Sequence, residues 1–115
     1  MMKKEEKNMK KIEAIVEPSE VEGLKERLTD AGVRSVTVTE VRGFSASGGR
    51  TLVYRGVRFD APYVVEAKLE TVVADEAVDK AVTILRKVAK TDEEGRAKVF
   101  VFSVDARGVR SVVAV

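Results

Sequence analysis

The sequence predicts a single α+β domain in which an antiparallel sheet carries two helices on one face. Three observations lead there. Segments of strand and helix periodicity alternate as β-α-β, then a long irregular stretch, then β-α-β again. The two halves share one layout, with helices opening near Ser19 and Asp75. The chain has 115 residues, 44% of them hydrophobic, which suits one core rather than two. Two such halves that interleave into one sheet make the ferredoxin-like βαββαβ fold, and a fold of that kind says nothing by itself about function.

Each element has its own local reason. Residues 1–8 (MMKKEEKN) carry charge without an apolar period and read as a disordered extension, with the folded domain spanning 9–115. KIEAIV at 11–16 alternates, with Ile12, Ala14 and Val16 on one face, as a half-exposed strand does. Ser19 and Glu22 have capping-box spacing, and Val21, Leu24, Leu28 and Ala31 recur at helical spacing. Gly32 stands where a left-handed C-terminal cap is wanted. SVTVTEV at 35–41 predicts a second strand with Val36, Val38 and Val41 facing inward. Residues 43–62 contain four glycines and a proline without a sustained period, so a long loop is expected, with a frayed hairpin around Thr51–Tyr54. YVVEAKLETVV at 63–73 predicts a third strand. Asp75 is expected to cap a second helix whose buried face is Ala77, Val78, Ala81, Val82, Leu85 and Val88. A charged turn, TDEEGRA, precedes a fourth strand, KVFVFSV, and a short fifth strand is expected within 109–115.

Composition excludes more than it proposes. There are 21 basic and 19 acidic residues mixed along the chain, so the net charge of +2 is a small imbalance rather than a basic stripe, and nucleic acid is not an expected partner. Phe100 and Phe102 share a strand face, but packing explains them more simply than RNA stacking does. Without cysteine or histidine the chain has no disulfide, no zinc-thiolate site and neither of the commonest catalytic side chains; no enzyme constellation stands out and no metal site is expected. No apolar run approaches the roughly 20 residues that span a bilayer, so the cytoplasm is the expected location. The apolar strands would be an aggregation hazard if left bare, and self-association is the natural way to cover them.

Three stretches resemble the PII family of signal-transduction proteins, in the right order and spacing. They are MKKIEAIVEP at 9–18, TVTEVRGF at 37–44 followed by YRG at 54–56, and VFVFSV at 99–104 preceded by Thr91 and Lys98. The resemblance implies a homotrimer that binds an adenine nucleotide (ADP, AMP or ATP) between subunits, with no required cofactor. It also implies a membrane transporter or metabolic enzyme as partner, engaged through a mobile T-loop at 43–62. It would set the base near Thr37, Glu70 and Val72, and the phosphates over the B-loop at 91–98, on Gly95, Arg96, Ala97 and Lys98. Arg107 and Arg110 are candidates for further phosphate contacts from a neighbouring subunit. Taken alone, Lys98 reads as a solvated strand-edge lysine, although a glycine-containing turn with a lysine is also an anion-binding arrangement. In the loop, Arg50, Leu52, Tyr54, Arg55, Arg58 and Phe59 have the side-chain types of a docking surface.

The sequence also departs from the family pattern. The B-loop reads Asp92-Glu93-Glu94-Gly95-Arg96-Ala97, with a single glycine. A carboxylate about 5 Å from a phosphate charge costs roughly 3 kcal/mol at an effective dielectric near 20, so a mono- or diphosphate is favoured over a triphosphate. Ser47 replaces the family's glutamine, and Glu66 replaces the lysine that pairs with 2-oxoglutarate, so classical 2-oxoglutarate sensing is expected to be lost. Phe59 falls where some members carry a modified tyrosine, which removes nucleotidylation there. The alternative expectation is a scaffolding trimer that binds no nucleotide.

Overall fold

The structure is a computed structural model and describes residues 8–44, 50–61, 63–89, 97–104 and 112–114. Its elements are β1 (Met9–Val16), a 3-10 turn (Pro18–Glu20), α1 (Val21–Asp30), β2 (Thr37–Gly43), β3 (Arg50–Tyr54), β4 (Val57–Ala61), β5 (Val64–Ala74), α2 (Asp75–Val88), β6 (Val99–Val104) and β7 (Val112–Ala114). Five strands form one sheet in the order β2-β5-β1-β6-β7, and every pairing is antiparallel. The first four are the strands of the ferredoxin-like fold, and β7 extends that sheet at its edge. The hairpin β3–β4 makes a separate two-stranded sheet.

The core lies between the helices and one face of the sheet. Alternation along β1 buries Ile12, Ala14 and Val16, and along β5 it buries Ala67, Leu69, Thr71 and Val73. Against them pack Leu24 and Leu28 of α1 with Ala81 and Leu85 of α2. Thr71 is the buried polar member, and its hydroxyl donates to the Ser35 carbonyl at 2.6 Å. That bond ties the approach to β2 onto β5. The predicted α2 face holds, with Ala77, Val78, Val82 and Val88 half-buried around Ala81 and Leu85.

Gly32 ends α1 as expected. Its φ is +97°, its N–H donates to the Thr29 carbonyl, and the Val33 N–H reaches back to the Leu28 carbonyl at 2.9 Å, the paired bonds of a Schellman motif. Three local expectations fail. The Ser19–Glu22 capping box does not form, because Pro18 starts a 3-10 turn that moves the α-helix start to Val21. Asp75 does not cap α2. It is the first helical residue, and its carboxylate accepts from Lys10 Nζ at 2.7 Å. β2 faces inward less than expected: Val38, opposite buried Leu69, remains 47% exposed on the edge strand, and Val41, opposite Glu66, lies on the sheet face turned away from the helices.

The long irregular stretch holds more structure than a frayed turn. The β3–β4 ladder runs from Arg50–Ala61 to Tyr54–Val57. Arg55 and Gly56 both have positive φ, 55° and 80°, as a type I′ two-residue turn requires. Residues 1–7 lie outside the described residues, while Asn8 offers its carbonyl to the Asp75 N–H.

Candidate functional site

The sheet face turned away from the helices carries the site candidates. Register fixes which residues share it. Thr37 pairs with Glu70, Thr39 with Lys68 and Val41 with Glu66, while Glu13 stands between Glu70 and Phe100. The Ile15 N–H donates to the Lys98 carbonyl at 3.0 Å, which puts Lys98 on this face one residue before β6. Thr37 and Val72 are exposed, and so is Phe100. The structure therefore brings Thr37 and Glu70 together on one rung, with Val72 two residues further along the same strand face.

Lys98 is not with them. Between β2 and β6 lie three strand spacings of about 4.8 Å each, and Lys98 stands two residues along from the Thr37 rung, so the two are roughly 16 Å apart across one sheet. Ala97 is exposed immediately before Lys98, whereas Gly95, Arg96, Arg107 and Arg110 lie outside the described residues.

Neither sequence-level reading of Lys98 anticipates its surroundings. Its Nζ donates to Glu66 Oε2 at 2.8 Å, and the two side chains are only 25% and 21% exposed. Glu66 lies one residue past the end of the β1–β5 ladder, which closes at Val16–Ala67, and Lys98 reaches it around the end of β1. The other Glu66 oxygen lies beside Gly43, where an added Cβ would stand 3.7 Å away. The residue noted for replacing a lysine therefore forms an ion pair with the residue assigned to phosphate.

Glu70 is likewise engaged. Lys11 Nζ lies 2.9 Å from Glu70 and 3.2 Å from Glu13, and Lys68 is 3.9 Å from Glu70. The hydrogen bond from Lys11 holds the Glu70 carboxyl below its ordinary range, and the bonds to Glu70 and Glu13 raise Lys11 above its own. Glu13 and Glu70 are direct cross-strand neighbours, and Lys11 on the next rung neutralises both. Strand alternation alone puts Lys11 and Glu13 on the exposed face; finding their partner needs the register, which the sequence does not supply.

The base of the long loop has its own cluster. Phe44 follows β2, Tyr63 precedes β5, and their rings meet edge to face at 6.1 Å and 83°. The Arg42 guanidinium sits 5.4 Å from the centre of the Tyr63 ring. Beyond this clasp, Val53, Arg55, Val57 and Arg58 of the hairpin are exposed. The side chains of Arg50, Leu52, Tyr54 and Phe59 lie outside the described residues, as does Ser47.

Comparison with known proteins places the chain in one family. Residues 9–111 match the family described as Nitrogen regulatory protein P-II. Nitrogen regulatory protein P-II of Pasteurella multocida is 41% identical over 97 residues, covering 84% of this chain and 87% of that protein. Nitrogen regulatory protein P-II 1 of Escherichia coli K12 is 40% identical over 102 residues, covering 89% and 90%. Among solved structures, the B. subtilis GlnK–ATP complex aligns with TM-score 0.60 and 28% identity over 92% of this chain and 95% of that one. Arabidopsis thaliana PII bound to citrate aligns with TM-score 0.58 and 27% identity over 93% and 90%. The chain thus belongs to the nitrogen regulatory P-II family of signal-transduction proteins.

Proposed function

We propose that this protein is a homotrimeric, cytoplasmic regulator that binds an adenine nucleotide between subunits and acts on a transporter or metabolic enzyme through the loop at 43–62. The observation that carries the reading is the separation of Thr37 and Glu70 from Lys98 on one exposed sheet face. Groups this far apart on one subunit can meet on one ligand held between two. The ATP in the B. subtilis relative and the citrate in the Arabidopsis relative support an anionic effector. ADP and AMP fit the acidic sequence 92–94 better than ATP does, because each added phosphate charge adds repulsion. With Glu66 in place of a lysine and paired to Lys98, a carboxylate stands where the family's cation would receive 2-oxoglutarate, so that response is expected to be lost. Phe59 offers no hydroxyl for nucleotidylation. Effector binding acts on the partner only as far as it favours one loop state over another.

Calorimetric titration with ATP, ADP and AMP at one fixed salt concentration tests this. Saturable binding near one site per subunit, weakened by Lys98→Ala, is expected; no heat with any of the three overturns the nucleotide assignment. A monomer by light scattering overturns the trimer. The Lys98–Glu66 pair favours one rival, a scaffolding trimer without a ligand, because it leaves the lysine already neutralised. Silence in calorimetry together with a trimer in solution is the result that rival predicts.

A further inference from the structure

We propose that Glu66 is an internal counter-anion for the effector site: its carboxylate occupies Lys98 and must be displaced before a ligand phosphate can use that lysine. This rests on the reading of Lys98 as the phosphate-binding lysine. The geometry is a direct contact, 2.8 Å from Nζ to Oε2, between side chains about three-quarters shielded from water. Glu66 belongs to β5 and Lys98 to the approach to β6, so both are held by ladder positions rather than by free loop ends. The second carboxylate oxygen lies beside Gly43, where even an added Cβ would make only an ordinary contact at 3.7 Å.

The consequence is selection among effectors by anionic strength at one point. A weakly charged ligand cannot recover the ion pair it breaks, and a carboxylate ligand meets a carboxylate already seated. A phosphate can succeed because it carries more charge and more acceptor oxygens than the side chain it replaces. Glu66 is thus a specificity-determining residue that acts through Lys98, without touching the ligand.

The test is ADP titration of the wild type, Glu66→Gln, Lys98→Met and, as a control for loss of any nearby negative charge, Glu13→Gln. The glutamine keeps the side-chain shape, and circular dichroism checks that each variant folds. Glu66→Gln is expected to tighten ADP by about fivefold, the upper range for releasing an ion pair that keeps partial access to water. Glu13→Gln, whose carboxylate faces Lys11 instead, is expected to leave affinity unchanged within error. Wild-type binding that Lys98→Met weakens and Glu66→Gln does not improve overturns the counter-anion and leaves the nucleotide reading standing. Equal gains from Glu66→Gln and Glu13→Gln overturn it too, because a general field then explains the effect. Binding by Glu66→Gln alone supports the counter-anion and shows the wild-type site to be closed to ADP. No binding by either overturns both readings.

Discussion

Replacing Lys11 by methionine isolates the charge cluster at the centre of the exposed sheet face. The wild-type ammonium lies 2.9 Å from Glu70 and 3.2 Å from Glu13, which are themselves opposed across β1 and β5. Without it, two carboxylates whose Cβ atoms stand about 5 Å apart repel by roughly 3 kcal/mol at an effective dielectric of 20. Side chains 20% to 31% exposed keep partial access to water and salt, and Lys68 at 3.9 Å still offsets part of the Glu70 charge. A net loss of about 1–2 kcal/mol at neutral pH is therefore expected. Urea unfolding at fixed protomer concentration reads it as a lower midpoint at unchanged slope. Because the Glu70 pKa is depressed in the folded protein, its contribution is present above the ordinary value of 4.5 and is lost as pH falls through the folded value. Lys11 is raised, so its contribution is present below 10.5 and is lost as pH rises through its folded value. The difference between wild type and variant should hold from about pH 5 to 10 and shrink outside that window. A deficit that persists undiminished at pH 3 would refute the electrostatic account and assign the loss to the packing of the lysine stem.

Three further outcomes are expected. Leu28→Ala removes a fully buried α1 side chain and should cost about 2–5 kcal/mol, measured by the same urea titration. Gly32→Ala should cost about 1–2 kcal/mol from backbone conformation alone, since an added Cβ meets no atom within 4 Å and φ is +97°; a neutral result would mean the turn re-forms without positive φ. Tyr63→Ala removes both ring contacts at the loop base, and amide exchange at Arg42–Phe44 should accelerate with little change in global stability.

Much of the fold is legible in the sequence because burial imposes a period. β1, β5 and α2 alternate or repeat cleanly, and those are the elements with one face in the core. The start of α1 is misread because Ser19 has cap chemistry but Pro18 sets the backbone one turn earlier. The β3–β4 hairpin is only half legible: its turn is Arg-Gly rather than Asn-Gly, and an arginine in a left-handed conformation is not a residue one expects there. The candidate site is the hardest part. Glu66 and Lys98 are each notable from the resemblance, yet nothing in a linear reading says they touch. Their contact depends on two registers and on where β1 ends.

β5 runs unbroken from Val64 to Ala74, about 36 Å at the usual rise, with no glycine or proline within it. It starts at the rung that closes the loop base, Gly43–Val64, and finishes where α2 begins. A strand paired along its whole length, with β2 over 64–70 and with β1 over 67–74, cannot fold at a joint, so any movement imposed at the loop end must travel as twist or sliding of the whole strand. Sliding by one residue would turn Ala67, Leu69 and Val73 out of the core, which the buried face forbids. Twist is what remains: β5 is a torsion bar between the loop and the second helix.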